Sequence, residues 1–162
     1  MNRSIKRFIA LVFLVFSALL CTSCSFINNF VVVNLSRLPL EISYHVKKPT
    51  DPRVPTRLYE RAPETKPLSQ VDQQVAWQPL PPSRYKIDAD ARIVVLTLNP
   101  DEALLLTQCR PANGKTSGDC EPDNFNIDEI GLVGTNGETK LKGEQTYKSF
   151  LRNRNTYTLT YY

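Results

Sequence analysis

A single histidine, His45, limits the chemistry open to this chain. Any Ser-His-Asp or Cys-His arrangement must run through it, because a general base needs an imidazole held by an orienting partner. His45 falls in the polar phase of an alternating run, where a surface histidine is expected. No G-x-S-x-G elbow, H-E-x-x-H pair, P-loop or dinucleotide fingerprint is present. Asp119, Glu121, Asp123, Asp128 and Glu129 form the densest acidic cluster, and alternate carboxylates could offer oxygen ligands to calcium. Counted as an EF-hand loop from Asp119, however, the glycine position holds Asn124 and the bidentate glutamate position holds Ile130. A solvated turn fits better. Trp77, Tyr85 and the C-terminal tyrosines could stack on a sugar ring, although a lone mid-chain tryptophan in a sandwich is commonly a core residue.

The cysteines fall into two pairs. Cys109 and Cys120 bracket a polar, turn-rich stretch containing Pro111, Gly114 and Gly118. The alternative to a disulfide here is half of a metal site, which lacks companions, since His45 is the only histidine. A disulfide is therefore expected. Cys21 and Cys24 match C-x-x-C, but they end an apolar run and do not open a helix after a strand.

That run gives the strongest indication of location. Arg3, Lys6 and Arg7 precede the uncharged stretch Phe8 to Leu20, and Cys21-Thr22-Ser23-Cys24 follows. The stretch has the length of a secretory h-region and is short for a bilayer span. The segment resembles a bacterial lipoprotein signal. Ser23 and Thr22 occupy the small positions before the cysteine that receives the lipid, and Cys21 departs from the usual leucine. The resemblance implies cleavage after Ser23, lipidation of Cys24 and a short tether over residues 24–29. It also implies that the chain is similar to small lipoproteins of diderm bacteria. In these, a residue other than aspartate after the lipidated cysteine, here Ser25, implies passage to the outer membrane. An ordinary signal peptide cut after Ser23 is the alternative.

Charge follows the same division. Three of the 20 Lys and Arg precede Cys24, where there is no Asp or Glu, so the part from Cys24 onward has 17 basic and 16 acidic side chains. No concentrated basic composition points to nucleic acid.

The remaining chain reads as a succession of short strands. Phe30 to Leu35 is β-rich, and Leu38, Leu40, Ile42, Tyr44 and Val46 alternate with polar residues, so one face of that strand is buried. A bend is expected at Ser36-Arg37. Nine of the 12 prolines fall from Pro39 to Pro82, which predicts an irregular surface loop over 47–70 and makes it the expected partner contact. A short edge strand at Arg57 to Tyr59 is possible within it. Further strands are expected at Val71 to Trp77, Tyr85 to Ile87, Ile93 to Leu98, Ala103 to Thr107, Thr139 to Leu141, Tyr147 to Leu151 and Tyr157 to Tyr162. Phe125, Ile127 and Ile130 lead into Gly131-Leu132-Val133 before the return at Thr139. The strongly apolar strand Ile93 to Leu98 is expected to be central. Asn136-Gly137 predicts a type I′ hairpin.

The expectation is an all-β, immunoglobulin-like antiparallel sandwich over 30–162, following an N-terminal helical signal segment. Its expected role is that of a lipid-anchored, non-enzymatic envelope protein, with no cofactor or metal and no nucleic-acid partner. It would bind another envelope protein or glycan. The alternative is an envelope carbohydrate-binding module or hydrolase, using Trp77, Tyr85 or the acidic cluster.

Overall fold

The computed structural model describes residues 27–47, 61–71, 76–109, 120, 122 and 125–162. The signal segment, Cys24 and the expected strand at Arg57 to Tyr59 lie outside them. In chain order the strands are β1 (Asn28–Asn34), β2 (Leu40–Val46), β3 (Glu64–Pro67), β4 (Gln78–Pro79), β5 (Tyr85–Asp88) and β6 (Ile93–Leu98). They continue with β7 (Glu102–Cys109), β8 (Ile127–Gly134), β9 (Gly137–Lys142), β10 (Leu151–Asn153) and β11 (Thr156–Tyr161), with a short helix, α1 (Glu144–Lys148), before β10.

These strands form the two layers of an all-β sandwich. One sheet has six strands in the order β10-β11-β1-β7-β3-β4, and the other has five in the order β5-β6-β2-β8-β9. All pairings are antiparallel except β1 with β11, which run parallel with Phe30 opposite Tyr157 and Val32 opposite Leu159.

The alternation in β2 is realised directly. Leu40, Ile42, Tyr44 and Val46 are buried in the interlayer core, while Glu41, Ser43 and His45 face outward. β1 is buried on both faces. Phe30 and Val32 enter the main core, while Val31 and Val33 join Ala103 in a second cluster on the outer side of the six-stranded sheet. Leu68, Val71 and Trp77 cover that second cluster. Such double burial suits a near-continuous β-branched run.

A buried asparagine makes the expected bend after β1. The Asn34 side-chain amide donates to Leu38 O at 2.9 Å and to Leu98 O at 3.0 Å, and its oxygen accepts from Ser36 N–H at 3.0 Å. This group closes the turn and ties the two sheets together, with its hydrogen-bonding capacity used internally.

Several expected elements are corrected. Part of the 47–70 loop is a strand: β3 pairs with β7, Thr65 opposite Leu104 and Lys66 opposite Ala103. Pairing of these buried residues overrides the proline-rich composition. At the ends of the expected strand Val71 to Trp77, Val71 closes a 3-10 turn and Trp77 precedes a short strand that starts at Gln78, while residues 72–75 lie outside the described ones. The apolar strand β6 is interior to its sheet as expected, paired on one side with edge strand β5 and on the other with β2, and Ile93 on its outer face is 38% exposed.

Two local conformations also differ from expectation. The β8–β9 hairpin forms, but Gly134 pairs with Gly137, so Thr135 and Asn136 are its central residues. Neither has positive φ, which excludes type I′; the left-handed position, φ +97°, falls at Gly137. Tyr147 belongs to helix α1 and not to a strand. The chain enters this helix through Gly143 at φ +56°, and Glu144 and Lys148 form an i,i+4 ion pair.

Candidate functional site

At the end of the sandwich where β1 begins, a cluster of aromatic rings packs beside the disulfide. Phe30 stacks on Tyr157 with ring centroids 4.5 Å apart, and it meets Phe125 at 4.6 Å and Phe150 at 5.3 Å. Tyr147 completes the group. The C-terminal tyrosine Tyr157 therefore packs inside the protein.

The expected disulfide lies against these rings. Cys109 and Cys120 are bonded, with Cα atoms 6.2 Å apart, and both are buried. Cys120 N–H donates to the Tyr157 hydroxyl at 3.2 Å, and the Tyr147 hydroxyl donates to Cys120 O. Burial, followed by the nearby Tyr157, pushes the Tyr147 phenol up to about 12. Tyr147 thus remains a neutral donor at physiological pH.

The same end contains the β10–β11 turn, Arg154-Asn155. Asn29 lies opposite Thr156 in the parallel pair, and Asn29 N–H donates to Asn155 O at 2.9 Å. Gln108 donates a side-chain hydrogen bond to Asn29 at 2.8 Å. Beside this turn, a cleft of about 510 Å³ is lined by Val71, Asn153, Arg154, Asn155 and Thr156.

His45 has a partner that sequence reasoning missed. Its Nδ1 lies 2.7 Å from Asp128 Oδ1, and an ionised carboxylate only accepts, so the ring nitrogen donates. Asp128 reaches the histidine through a bulge: Glu129 pairs with His45 and Ile127 with Val46, leaving Asp128 as the extra residue. The two side chains are 29% and 36% exposed. Among the described residues, Asp128 is the hydrogen-bond partner of the His45 ring. An oriented imidazole is one component of hydrolytic chemistry, but no nucleophile is hydrogen-bonded to it there.

The remaining expected site residues separate. Glu129 is held by Lys140 at 2.8 Å and Lys142 at 3.0 Å, and these hydrogen bonds lower its carboxyl pKa. Asp119, Glu121 and Asp123 lie outside the described residues. Among the described residues, no group of three His, Cys, Asp or Glu side chains is placed to hold a metal ion.

Trp77 and Tyr85 do not form one platform. Trp77 belongs to the cover on the six-stranded sheet, with Lys66 Nζ 4.7 Å from its ring centroid. Tyr85 packs against the main core from β5 of the other sheet.

Arg84 and Glu102 form a bidentate pair, at 3.1 and 2.5 Å, that was also not legible in advance. Arg84 donates to Thr97 O, and Glu102 accepts Asn99 N–H. Their role is structural: they clamp the turn through which the chain passes from β6 in one sheet to β7 in the other.

Comparison with protein-family models, curated proteins and solved structures finds no match.

Proposed function

We propose that this chain is a lipid-anchored, non-enzymatic β-sandwich of the bacterial cell envelope. Its N-terminal cysteine after cleavage is Cys24, it resides at the outer membrane, and it binds or scaffolds another envelope protein or glycan. The observation that carries this reading is the order of residues at the N-terminus. Arg3, Lys6 and Arg7, the apolar run Phe8 to Leu20 and then Cys24 stand only four positions before β1. The buried Cys109–Cys120 disulfide supports an oxidising compartment.

The test is metabolic labelling with a palmitate analogue. The wild-type chain should incorporate label, and Cys24→Ala should lose it while still accumulating. Absence of label on the wild type would sink the anchor and leave the ordinary secreted reading.

A further inference from the structure

We propose that the cleft beside the β10–β11 turn receives the phosphate-bearing headgroup of an anionic membrane lipid, so that the sandwich docks on the bilayer in a fixed orientation. The inference rests on lipidation of Cys24. It goes further by assigning the protein surface that meets the membrane.

Chain geometry supplies the first argument. From Cys24 to Asn29 is five residues, which extend no more than about 18 Å. Asn29 is bonded through its N–H to Asn155 O, in the wall of the cleft. A lipid on Cys24 therefore keeps this turn within reach of the headgroup layer. Bend residue Arg37 is exposed and follows the opposite end of β1 from Asn29.

The second argument is the chemistry of the lining. Asn153, Arg154, Asn155 and Thr156 bring one cation and several neutral donors to a space of about 510 Å³, and Val71 supplies an apolar wall. No carboxylate belongs to this lining among the described residues. A guanidinium with adjacent amide and hydroxyl donors suits phosphate oxygens. The turn is also held in shape. Arg154 sits at φ +54°, and the Arg152 guanidinium donates to its carbonyl at 3.0 Å. On the same hairpin and sheet face as Asn153, Leu151 is 77% exposed, an apolar side chain suited to the interfacial layer.

Amide hydrogen exchange of the full-chain protein, purified with its native N-terminus, tests this in phosphatidylcholine and phosphatidylglycerol vesicles. Exchange over 153–156 should slow about fivefold more on phosphatidylglycerol, the scale of one basic side chain at an anionic surface. Arg154→Asn removes the charge yet suits the left-handed backbone, and it should abolish the difference. Arg37→Asn makes the same charge change at the far end and should preserve it.

The mass of the N-terminal peptide reads the anchor in the same samples. Lipid on Cys24 with equal exchange on both vesicles overturns the docking proposal alone. An unlipidated Cys24 overturns the anchor and the docking proposal with it. Equal protection by glycerol phosphate in solution would make the cleft a soluble-phosphate site and overturn membrane docking.

Discussion

The hydroxyl of Tyr161, on the six-stranded sheet, packs directly against Gly134 at the end of β8 in the other sheet. A Cβ on Gly134 would lie 2.6 Å from Tyr161 Cζ and 2.8 Å from Cε1. Asn136 N–H donates to the same hydroxyl at 3.1 Å. The backbone of Gly134 is not left-handed, so space alone requires glycine here. One phenol thereby fixes the β8–β9 hairpin of one sheet to the last strand of the other.

Gly134→Ala should consequently destabilise the fold by about 1–3 kcal/mol through overpacking. Combining it with Tyr161→Leu, which removes the ring atoms that clash, should cost less than the two single changes added together. Urea denaturation of the four proteins measures the coupling. Strict additivity would show that the contact does not constrain the hairpin.

The Arg84–Glu102 clamp has a pH signature. Burial pushes the Glu102 carboxyl up, but hydrogen bonds from Arg84 and Asn99, together with the Arg84 charge, outweigh it and leave the pKa below its ordinary value of 4.5. A lowered folded pKa contributes stability that is present above the unfolded value and lost as pH falls through the folded one. Glu102→Gln should destabilise by about 1–2 kcal/mol at neutral pH, given that the pair is bidentate and each side chain is only partly exposed. The gap should narrow as pH falls below 4.5. Urea midpoints across an acid series decide it, and a gap constant with pH would refute the ionic contribution.

The disulfide closes a loop of 11 residues' separation and should contribute about 3 kcal/mol. Replacing both Cys109 and Cys120 by alanine should lower stability by that order while leaving the far-ultraviolet spectrum intact. The Phe30, Phe125 and Tyr157 rings pack on one another directly, through contacts that do not involve the cross-link itself. Dithiothreitol should lower the wild-type melting temperature and leave the double variant unchanged. Equal sensitivity in both proteins would place the effect elsewhere.

Legibility in the sequence follows the range of the interactions. The period of β2 and the β-rich run of β1 are local patterns, and they were readable because each strand writes its preference into consecutive residues. The turn at Ser36 was readable for the same reason. The burial of β1 on both faces depends instead on the cover that packs over it. The strand expected at Tyr147 to Leu151 begins only at Leu151: Tyr147 and Phe150 favour strands by type, whereas the chain turns at Gly143 into a helix over Glu144–Lys148. β3 was hidden because its partner β7 lies some 40 positions onward, and composition alone reported prolines. His45 and Asp128 are 83 positions apart and meet through a bulge, a register irregularity with no signature in either segment.

Trp77 allows the cover over the six-stranded sheet to be followed separately. It is the only tryptophan, so its emission reports the Leu68, Val71 and Trp77 layer without background. That layer packs on three buried residues, Val31, Val33 and Ala103, whereas the interlayer core joins both sheets through many more. Local opening costs less where fewer apolar contacts are lost. The emission change in urea should therefore precede the loss of strand signal by circular dichroism. Lys66, 4% exposed and set over the indole, should matter to the cover through its cation–π contact. Lys66→Met keeps an apolar stem of similar length, and it should shift the emission midpoint to lower urea while moving the dichroism midpoint less. Coincident transitions in both proteins would show instead that cover and sandwich unfold as one unit.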